Sequence, residues 1–231
     1  MNPSSPTILQ DRAAAGRRLV APLLKYAHRP DVIVLALPRG GVPVAYEVAS
    51  ALDVRLDLML VRKLGVPTHQ ELAMGAIASG DIQILNEHAL RAHPIDKAAF
   101  DAVVARETKE LSRREQAYRG TRAPVALKDQ VVILIDDGLA TGASMMAAIH
   151  AVRVHTPARI VVAVPVAPVE TAEALRSEVD ELVCPITAEW FMSIGHWYMD
   201  FFQTSDAEVI KLLQRAWQKE ASDAGQRSGQ E

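Results

Sequence analysis

The chain has 231 residues, enough for one substantial hydrophobic core. It is 49% hydrophobic and 23% charged, which is typical of a soluble globular protein, and its net charge of −3 gives no electrostatic reason to expect nucleic-acid binding. No apolar run reaches the roughly 18 residues of a membrane span, and the N-terminus shows no secretory signal. The single cysteine, Cys184, stands in an apolar stretch. We therefore predict a cytoplasmic protein without membrane or nucleic-acid partners, in which Cys184 is a buried, unreactive thiol.

Short apolar runs alternate with segments of helical spacing along the chain. Predicted strands cover 31–37, 56–61, 73–79, 82–85, 131–135, 159–164 and 179–184, and predicted helices cover 8–26, 42–52, 96–119, 143–154, 169–177 and 205–218. Thr7 and Ser205 are the expected N-caps of the first and last helices. Continuous apolar strands separated by helices indicate an α/β fold, a three-layer open sheet that is mostly parallel with helices on both faces.

We predict a single domain over residues 1–220. Its core covers 30–184, an aromatic-rich hood covers 185–205, and a C-terminal helix follows. The polar residues 221–231 are predicted to be a disordered tail. The mixed charges of the long helix 96–119 suit either a solvated face or a lid or dimer contact.

The segment VVILIDDGLATGASM, residues 131–145, combines an apolar strand, paired acids and a loop of small residues. Ligands of open α/β sheets bind at the carboxyl ends of strands, which is where Asp136 and Asp137 fall. The small residues after them let backbone amides approach an anion, next to a helix N-terminus. The segment therefore suits a phosphorylated sugar, whose hydroxyls need carboxylates and whose phosphate needs amides. The alternative is an Asp-rich turn in which Asp137 caps the helix; a Walker A loop is excluded because no lysine follows the glycines.

This segment resembles the phosphoribosyl-pyrophosphate signature of type I phosphoribosyltransferases. The resemblance implies that Asp136 and Asp137 hold the ribose hydroxyls, directly or through Mg²⁺. It implies that the next residues wrap the 5-phosphate: Gly138, Leu139, Ala140, Thr141, Gly142, Ala143 and Ser144. It also implies a homodimer that functions in nucleotide metabolism or salvage.

Two further segments agree with this resemblance. The loop LPRGGVPVA, residues 37–45, follows the first strand and corresponds to the family's pyrophosphate loop, which often contains a cis non-proline peptide bond. Arg39, Gly40 and Gly41 would bind the pyrophosphate there. Arg62 and Lys63 resemble the basic pair that precedes the family's mobile loop, which would be 64–72 here, outside regular structure. His69 is expected either to reach the site on closure or to be solvated.

The segment EWFMSIGHWYMDFFQTSD, residues 189–206, includes most of the hood and resembles the family's base-binding segment. Trp190 or Phe191 would stack on the base, although most of these aromatic rings are expected to pack in the core. Members that act on 6-oxopurines carry a third acid in the phosphate loop, where this chain has Ala140. The sequence therefore does not identify the acceptor base.

The expected activity is transfer of phosphoribose to a base nitrogen with release of pyrophosphate. Asp136, Asp137, Arg39 and Lys63 are the predicted catalytic residues, with Mg²⁺ as cofactor and no zinc site. The alternative is a regulatory protein that senses phosphoribosyl pyrophosphate without turning it over. A hydrolase with Asp136 as nucleophile would need a different acid spacing.

Overall fold

The computed structural model describes residues 8–67, 69–80, 82–93 and 95–228. The strands are β1 (Val32–Ala36), β2 (Arg55–Leu58), β3 (Val61–Val66), β4 (His69–Ala78), β5 (Ile82–Leu85), β6 (Val131–Ile135), β7 (Arg159–Ala163), β8 (Val166–Pro168), β9 (Glu181–Val183) and β10 (Ile186–Ala188). The helices are α1 (Arg12–Leu23), α2 (Gly41–Leu52), α3 (Glu87–Ala92), α4 (Lys97–Arg119), α5 (Ala143–Val154), α6 (Val169–Arg176) and α7 (Asp206–Ser228). Short 3₁₀ turns cover Leu24–Tyr26 and Ile194–Trp197.

The central sheet has the order β2-β1-β6-β7-β9, and all its neighbouring strands are parallel. Alternate residues of each strand enter different cores, as in β1, where Val34 packs with α1, α2 and α7 while Leu35 packs with α5 and α6. Because both faces are buried, the strands read as unbroken apolar runs. The predicted three-layer, parallel α/β fold is confirmed.

Two smaller sheets flank this core. Strands β3, β4 and β5 form an antiparallel sheet, and β8 pairs in parallel with β10, the strand with which the hood begins. Helix α4 packs against β3 and α7. Among the described residues, no helix is both long and apolar enough to cross a membrane.

The expectation of an irregular loop over 64–72 is wrong. Strand β3 runs through Val66, and β4 begins at His69, so the segment is an antiparallel hairpin with register shifts on both sides of Gly65. Leu64, Val66 and Met74 are buried in the core, and this burial holds the strands in place despite the turn-forming residues between them. Thr68 lies outside the described residues.

Both terminal helices differ from their predicted bounds. Helix α1 begins at Arg12 because Asp11 is its N-cap and accepts a hydrogen bond from the Ala14 amide at 2.7 Å. The predicted cap, Thr7, lies outside the described residues. Ser205 caps α7 as predicted, its hydroxyl accepting from the Glu208 amide at 3.1 Å. The helix does not end at 218 but continues to residue 228, and the disordered tail over 221–231 stays a prediction.

Candidate functional site

The paired acids and the glycine loop meet at the carboxyl edge of the central sheet. Strands β1 and β6 are neighbours with Ala36 opposite Ile135, so the residues that follow the two strands lie side by side. A Cβ atom added to Gly40 would lie 2.0 Å from Oδ2 of Asp137, and one added to Gly41 would lie 2.9 Å from Cα of Asp136. The loop can approach the acids only because these two positions lack side chains.

The two carboxylates have different surroundings. Asp136 is partly exposed, and its Oδ1 accepts a hydrogen bond from the Asp137 amide at 2.8 Å. Burial and the neighbouring Asp137 charge raise the pKa of Asp136 well above its ordinary value. The Asp137 carboxylate is buried and accepts from Nε of Arg12 at 2.8 Å. The site therefore pairs one acid whose charge is compensated by Arg12 with one whose ionised form is disfavoured.

The loop that follows the acids is divided into a packed half and an open half. Leu139 is buried and its amide donates to the Val166 carbonyl at 2.9 Å, so that amide is already bonded. Residues 140–144 form the open half, where every residue is exposed except Gly142, which is partly exposed. Gly142 has φ +71° and is the N-cap of α5, so the cap position offers no side chain, and the Ala143 amide donates only a long hydrogen bond, 3.5 Å, to Oγ1 of Thr141. Such a helix start is suited to an anion.

Arg39 lies in the loop after β1, next to the acids. The Pro38–Arg39 peptide bond is cis, as the resemblance implied. The Arg39 guanidinium is partly exposed and lies 3.5 Å from Oδ1 of Asp206, at the start of α7. Asp206 also accepts from the Tyr118 hydroxyl at 2.7 Å. The hydrogen bond from Tyr118 and the charge of Arg39 both lower the pKa of Asp206, which keeps this partner of Arg39 ionised.

One member of the basic pair on β3, Arg62, is bound to α4. Arg62 donates to Oε2 of Glu107 on α4 through Nε at 2.9 Å and Nη2 at 2.6 Å. Burial raises the pKa of Glu107, but the hydrogen bonds from Arg62 and Arg106 outweigh it and lower the pKa below the ordinary value. Lys63 is exposed, and the ring of His69 lies 5.5 Å from that of His93. Arg62 thus ties the hairpin to α4.

The hood contacts the acid pair through Tyr198. The Tyr198 hydroxyl donates to the Asp137 carbonyl at 2.6 Å, and burial raises the pKa of Tyr198, so the phenol stays protonated. Of the two predicted stacking rings, Phe191 packs against Trp197 with ring centroids 6.2 Å apart, whereas Trp190 is 91% exposed. Of these two rings, Trp190 is therefore the one that is accessible from solvent. Other large apolar side chains exposed on the hood are Met192, Met199 and Phe202.

Sequence reasoning missed Arg12, Glu107 and Asp206 as partners of site residues. The signal for Arg12 depends on the observed start of α1: Arg12 is a cation in the first turn, where the helix dipole disfavours positive charge, but the predicted helix began at residue 8. Glu107 and Asp206 stand among many charged residues, and their partners are distant in sequence.

Of two cavities among the described residues, the smaller one lies beside the candidate site. A cavity of about 330 Å³ lies between Thr141 and α6, beside the open half of the loop. A larger one, about 450 Å³, lies at the opposite edge of the sheet near Asp53 and Arg55. We place the site at the acids despite the larger cavity, because the charged groups converge there. The described part of the chain holds no cluster of three or more acidic, histidine or cysteine side chains suited to a metal.

The chain is similar to several known proteins. A model of the phosphoribosyl transferase domain family matches residues 6–201. A protein of Mycobacterium tuberculosis H37Rv, named "Putative phosphoribosyl transferase Rv0571c", is 41% identical over 94% of this chain and 49% of its own length. Its counterpart in strain CDC 1551, MT0597, matches equally. The crystal structure of TT1426 from Thermus thermophilus is 40% identical, covering 89% of this chain and 97% of that one, with a TM-score of 0.77.

The parallel sheet, with paired acids and a glycine loop at its carboxyl edge, has the phosphoribosyltransferase type of fold. The chain belongs to the phosphoribosyl transferase domain family. It spans about half the length of the curated relatives that it matches.

Proposed function

We propose that the chain transfers the 5-phosphoribosyl group of phosphoribosyl pyrophosphate to a ring nitrogen of a nucleobase-like acceptor. The observation that carries this proposal is the meeting of Asp136, the Gly40–Gly41 loop and the open start of α5 at one edge of the sheet. Together they offer a carboxylate for ribose hydroxyls and backbone amides for the phosphates at the two ends of the substrate.

The reaction needs no nucleophile from the protein. The bond between C1 of ribose and the pyrophosphate oxygen breaks as the acceptor nitrogen bonds to C1, and the nitrogen loses its proton. The transition state resembles an oxocarbenium ion, as in glycoside chemistry. The chain contributes by aligning the two reactants and by stabilising the departing pyrophosphate with Arg39, Lys63 and the amides of Gly40 and Gly41. Movement of the β3–β4 hairpin would exclude water from the site.

We propose that Mg²⁺ would be held here jointly by oxygens of the protein and of the substrate. Magnesium is commonly held by one or two carboxylates, with substrate phosphates and water completing its shell. Asp136 is partly exposed and carries the less compensated carboxylate of the two, so it would be the main protein ligand, with Asp137 behind it. The ion would neutralise charge that develops on the pyrophosphate.

We infer that Trp190 binds the acceptor. Its ring is 91% exposed on the hood, so stacking against a flat heterocycle would cover an apolar face that now meets water. Trp190→Ala should raise the acceptor KM at least tenfold and leave the Kd for phosphoribosyl pyrophosphate unchanged. Met192→Ala, a truncation of another exposed hood residue, is the control for a general effect on the hood. Equal effects of the two variants would contradict a stacking role for Trp190.

The activity is tested by measuring pyrophosphate release with a panel of purine and pyrimidine bases. Wild type should turn over with at least one base, and Asp136→Asn should lose about 100-fold or more of the rate, by analogy with other lost transition-state contacts. Because burial and Asp137 disfavour the ionised form of Asp136, the asparagine variant should remain folded, as thermal unfolding would show. Binding of phosphoribosyl pyrophosphate without release for any base would instead support the regulatory alternative. A homodimer and a cytoplasmic location stay predictions.

A further inference from the structure

The residues that precede α1 are hydrogen-bonded to the hood. The Leu9 amide donates to the Trp197 carbonyl at 2.8 Å, and the Met199 amide donates back to the Leu9 carbonyl at 2.8 Å. The Asp200 amide donates to the carbonyl of Gln10 at 2.9 Å. This ladder attaches residues 9–10 to the stretch of the hood that lies next to the acids.

Arg12 extends the attachment to the acid pair. Its Nε donates to Oδ2 of Asp137 at 2.8 Å, and its Nη1 donates to the Phe202 carbonyl at 2.7 Å. The guanidinium carbon also lies 3.9 Å from the ring centroid of Phe201. The side chains of Arg12 and Asp137 are only 12% and 11% exposed, so the ion pair is largely shielded from water. One guanidinium therefore contacts the acid pair and two consecutive hood residues.

We propose that Arg12 is a positioning residue with two effects: it neutralises Asp137, and it holds the hood against the acid pair. The proposal rests on the proposed function, because its first effect concerns the binding of phosphoribosyl pyrophosphate. Arg12 acts through Asp137 and the hood and does not contact the reacting atoms.

The charge of Asp137 is important because of where this carboxylate lies. A Cβ on Gly40 would lie 2.0 Å from Oδ2 of Asp137, so the carboxylate lies directly against the loop proposed to receive pyrophosphate. An uncompensated negative charge there would repel the anionic ligand, and shielding from water strengthens that repulsion. Arg12 removes this repulsion while leaving Asp136 free to bind ribose hydroxyls or Mg²⁺.

Calorimetric titration with phosphoribosyl pyrophosphate and Mg²⁺ tests the charge effect. Arg12→Met should raise the Kd at least tenfold, and adding Asp137→Asn to this variant should recover at least threefold of the loss, because the unpaired charge is gone. If Arg12 had only a structural role, adding Asp137→Asn would not restore the affinity for the ligand. Arg17→Met is the control: Arg17 is on the same helix but is exposed, and its ion pair with Glu47 at 3.4 Å should not affect binding. Wild-type affinity in Arg12→Met, or no gain in the double variant, would overturn this effect.

Hydrogen exchange in the absence of ligand tests the attachment of the hood. Arg12→Met should speed exchange of the Met199 and Asp200 amides at least tenfold relative to wild type, whereas Arg17→Met should not. If Arg12→Met does not fold, Arg12→Lys is measured instead. Lysine retains the charge but has a single ammonium group, so the Met199 and Asp200 amides should still exchange faster than in wild type. Unchanged exchange in the folded variant would refute the attachment. If wild type fails to bind phosphoribosyl pyrophosphate, the proposed function is wrong, yet this exchange result still decides the role of Arg12.

Discussion

Asp57→Asn should destabilise the fold strongly, although it keeps the shape of the side chain. Asp57 on β2 has no exposed surface, and its Oδ1 accepts from the Leu58 amide at 2.7 Å and from Nε of Arg119 at 3.0 Å. Its Oδ2 accepts from the Val125 amide at 3.2 Å. A carboxamide has one acceptor oxygen, so its NH₂ group must face an N–H donor in either orientation.

The expected loss follows from what the substitution leaves behind. Arg119 is buried at the end of α4, where its Nη2 donates to the Leu58 carbonyl at 2.6 Å. Its Nη1 lies 3.7 Å from Glu115, which is beyond hydrogen-bond distance, so Asp57 is its main charge partner. Removing one partner of a buried ion pair costs about 3–5 kcal/mol. At roughly 2–4 °C per kcal/mol for a chain of this size, the Tm should fall by roughly 6–20 °C.

Urea denaturation followed by circular dichroism measures this loss as a change in the free energy of unfolding. Glu110→Gln is the control, since Glu110 pairs with Arg113 and Arg114 on the surface and such pairs contribute about 0–1 kcal/mol. Adding Arg119→Met to Asp57→Asn should recover part of the loss, because no buried charge then remains unpaired. A loss below about 1 kcal/mol for Asp57→Asn would show that water or rearrangement compensates Arg119, and the argument from burial would fail.

Further predictions concern the glycine loop, the cysteine and acid stability. Gly40→Ala should reduce the kcat/KM for pyrophosphate release at least tenfold, because its Cβ would displace the Asp137 carboxylate. Full activity would show that the loop shifts to accommodate the added methyl group. Burial raises the pKa of Cys184 to about 11, so the native thiol should resist iodoacetamide at pH 7.5 and react after unfolding; rapid native labelling would contradict this. The pKa of Asp206 is lowered, chiefly by the hydrogen bond from Tyr118, so its stabilisation is present above the ordinary Asp range and is lost as pH falls through the lowered value. Tyr118→Phe should therefore flatten the acid side of a curve of unfolding free energy against pH, and an unchanged curve would exclude this bond as the cause.

The sheet was predictable because its signals are local. Strand β6 and helix α5 match their predicted bounds, since an apolar run and a helical spacing each reflect burial of that one segment. The β3–β4 hairpin was not predictable in the same way. Gly65 and Pro67 are turn-forming residues, and the burial of Leu64 and Val66 that overrides them depends on elements distant in the sequence.

The candidate site was predictable as far as its motifs are contiguous. The acids and the Gly40–Gly41 loop are adjacent because β1 and β6 are adjacent, which the parallel-sheet rule anticipates. The partners that determine the charge of the site come from far along the chain. Arg12 and Asp137 are 125 residues apart, and Arg62 and Glu107 are 45 apart. Surface charges are common in this sequence, so nothing local distinguishes these residues from solvated ones.

Asp136 and Asp137 are the same residue type at adjacent positions, yet their surroundings predict opposite effects on stability. Asp137→Asn should cost about 1–3 kcal/mol, because a charge-assisted hydrogen bond to the mostly buried Arg12 is weakened. Asp136→Asn should be neutral or stabilising, because burial and the Asp137 charge already disfavour its ionised form. Urea denaturation of the two single variants at neutral pH gives the comparison. Equal losses would mean that the two acids share one environment, and the assignment of Asp137 to Arg12 and of Asp136 to the ligand would have to be abandoned.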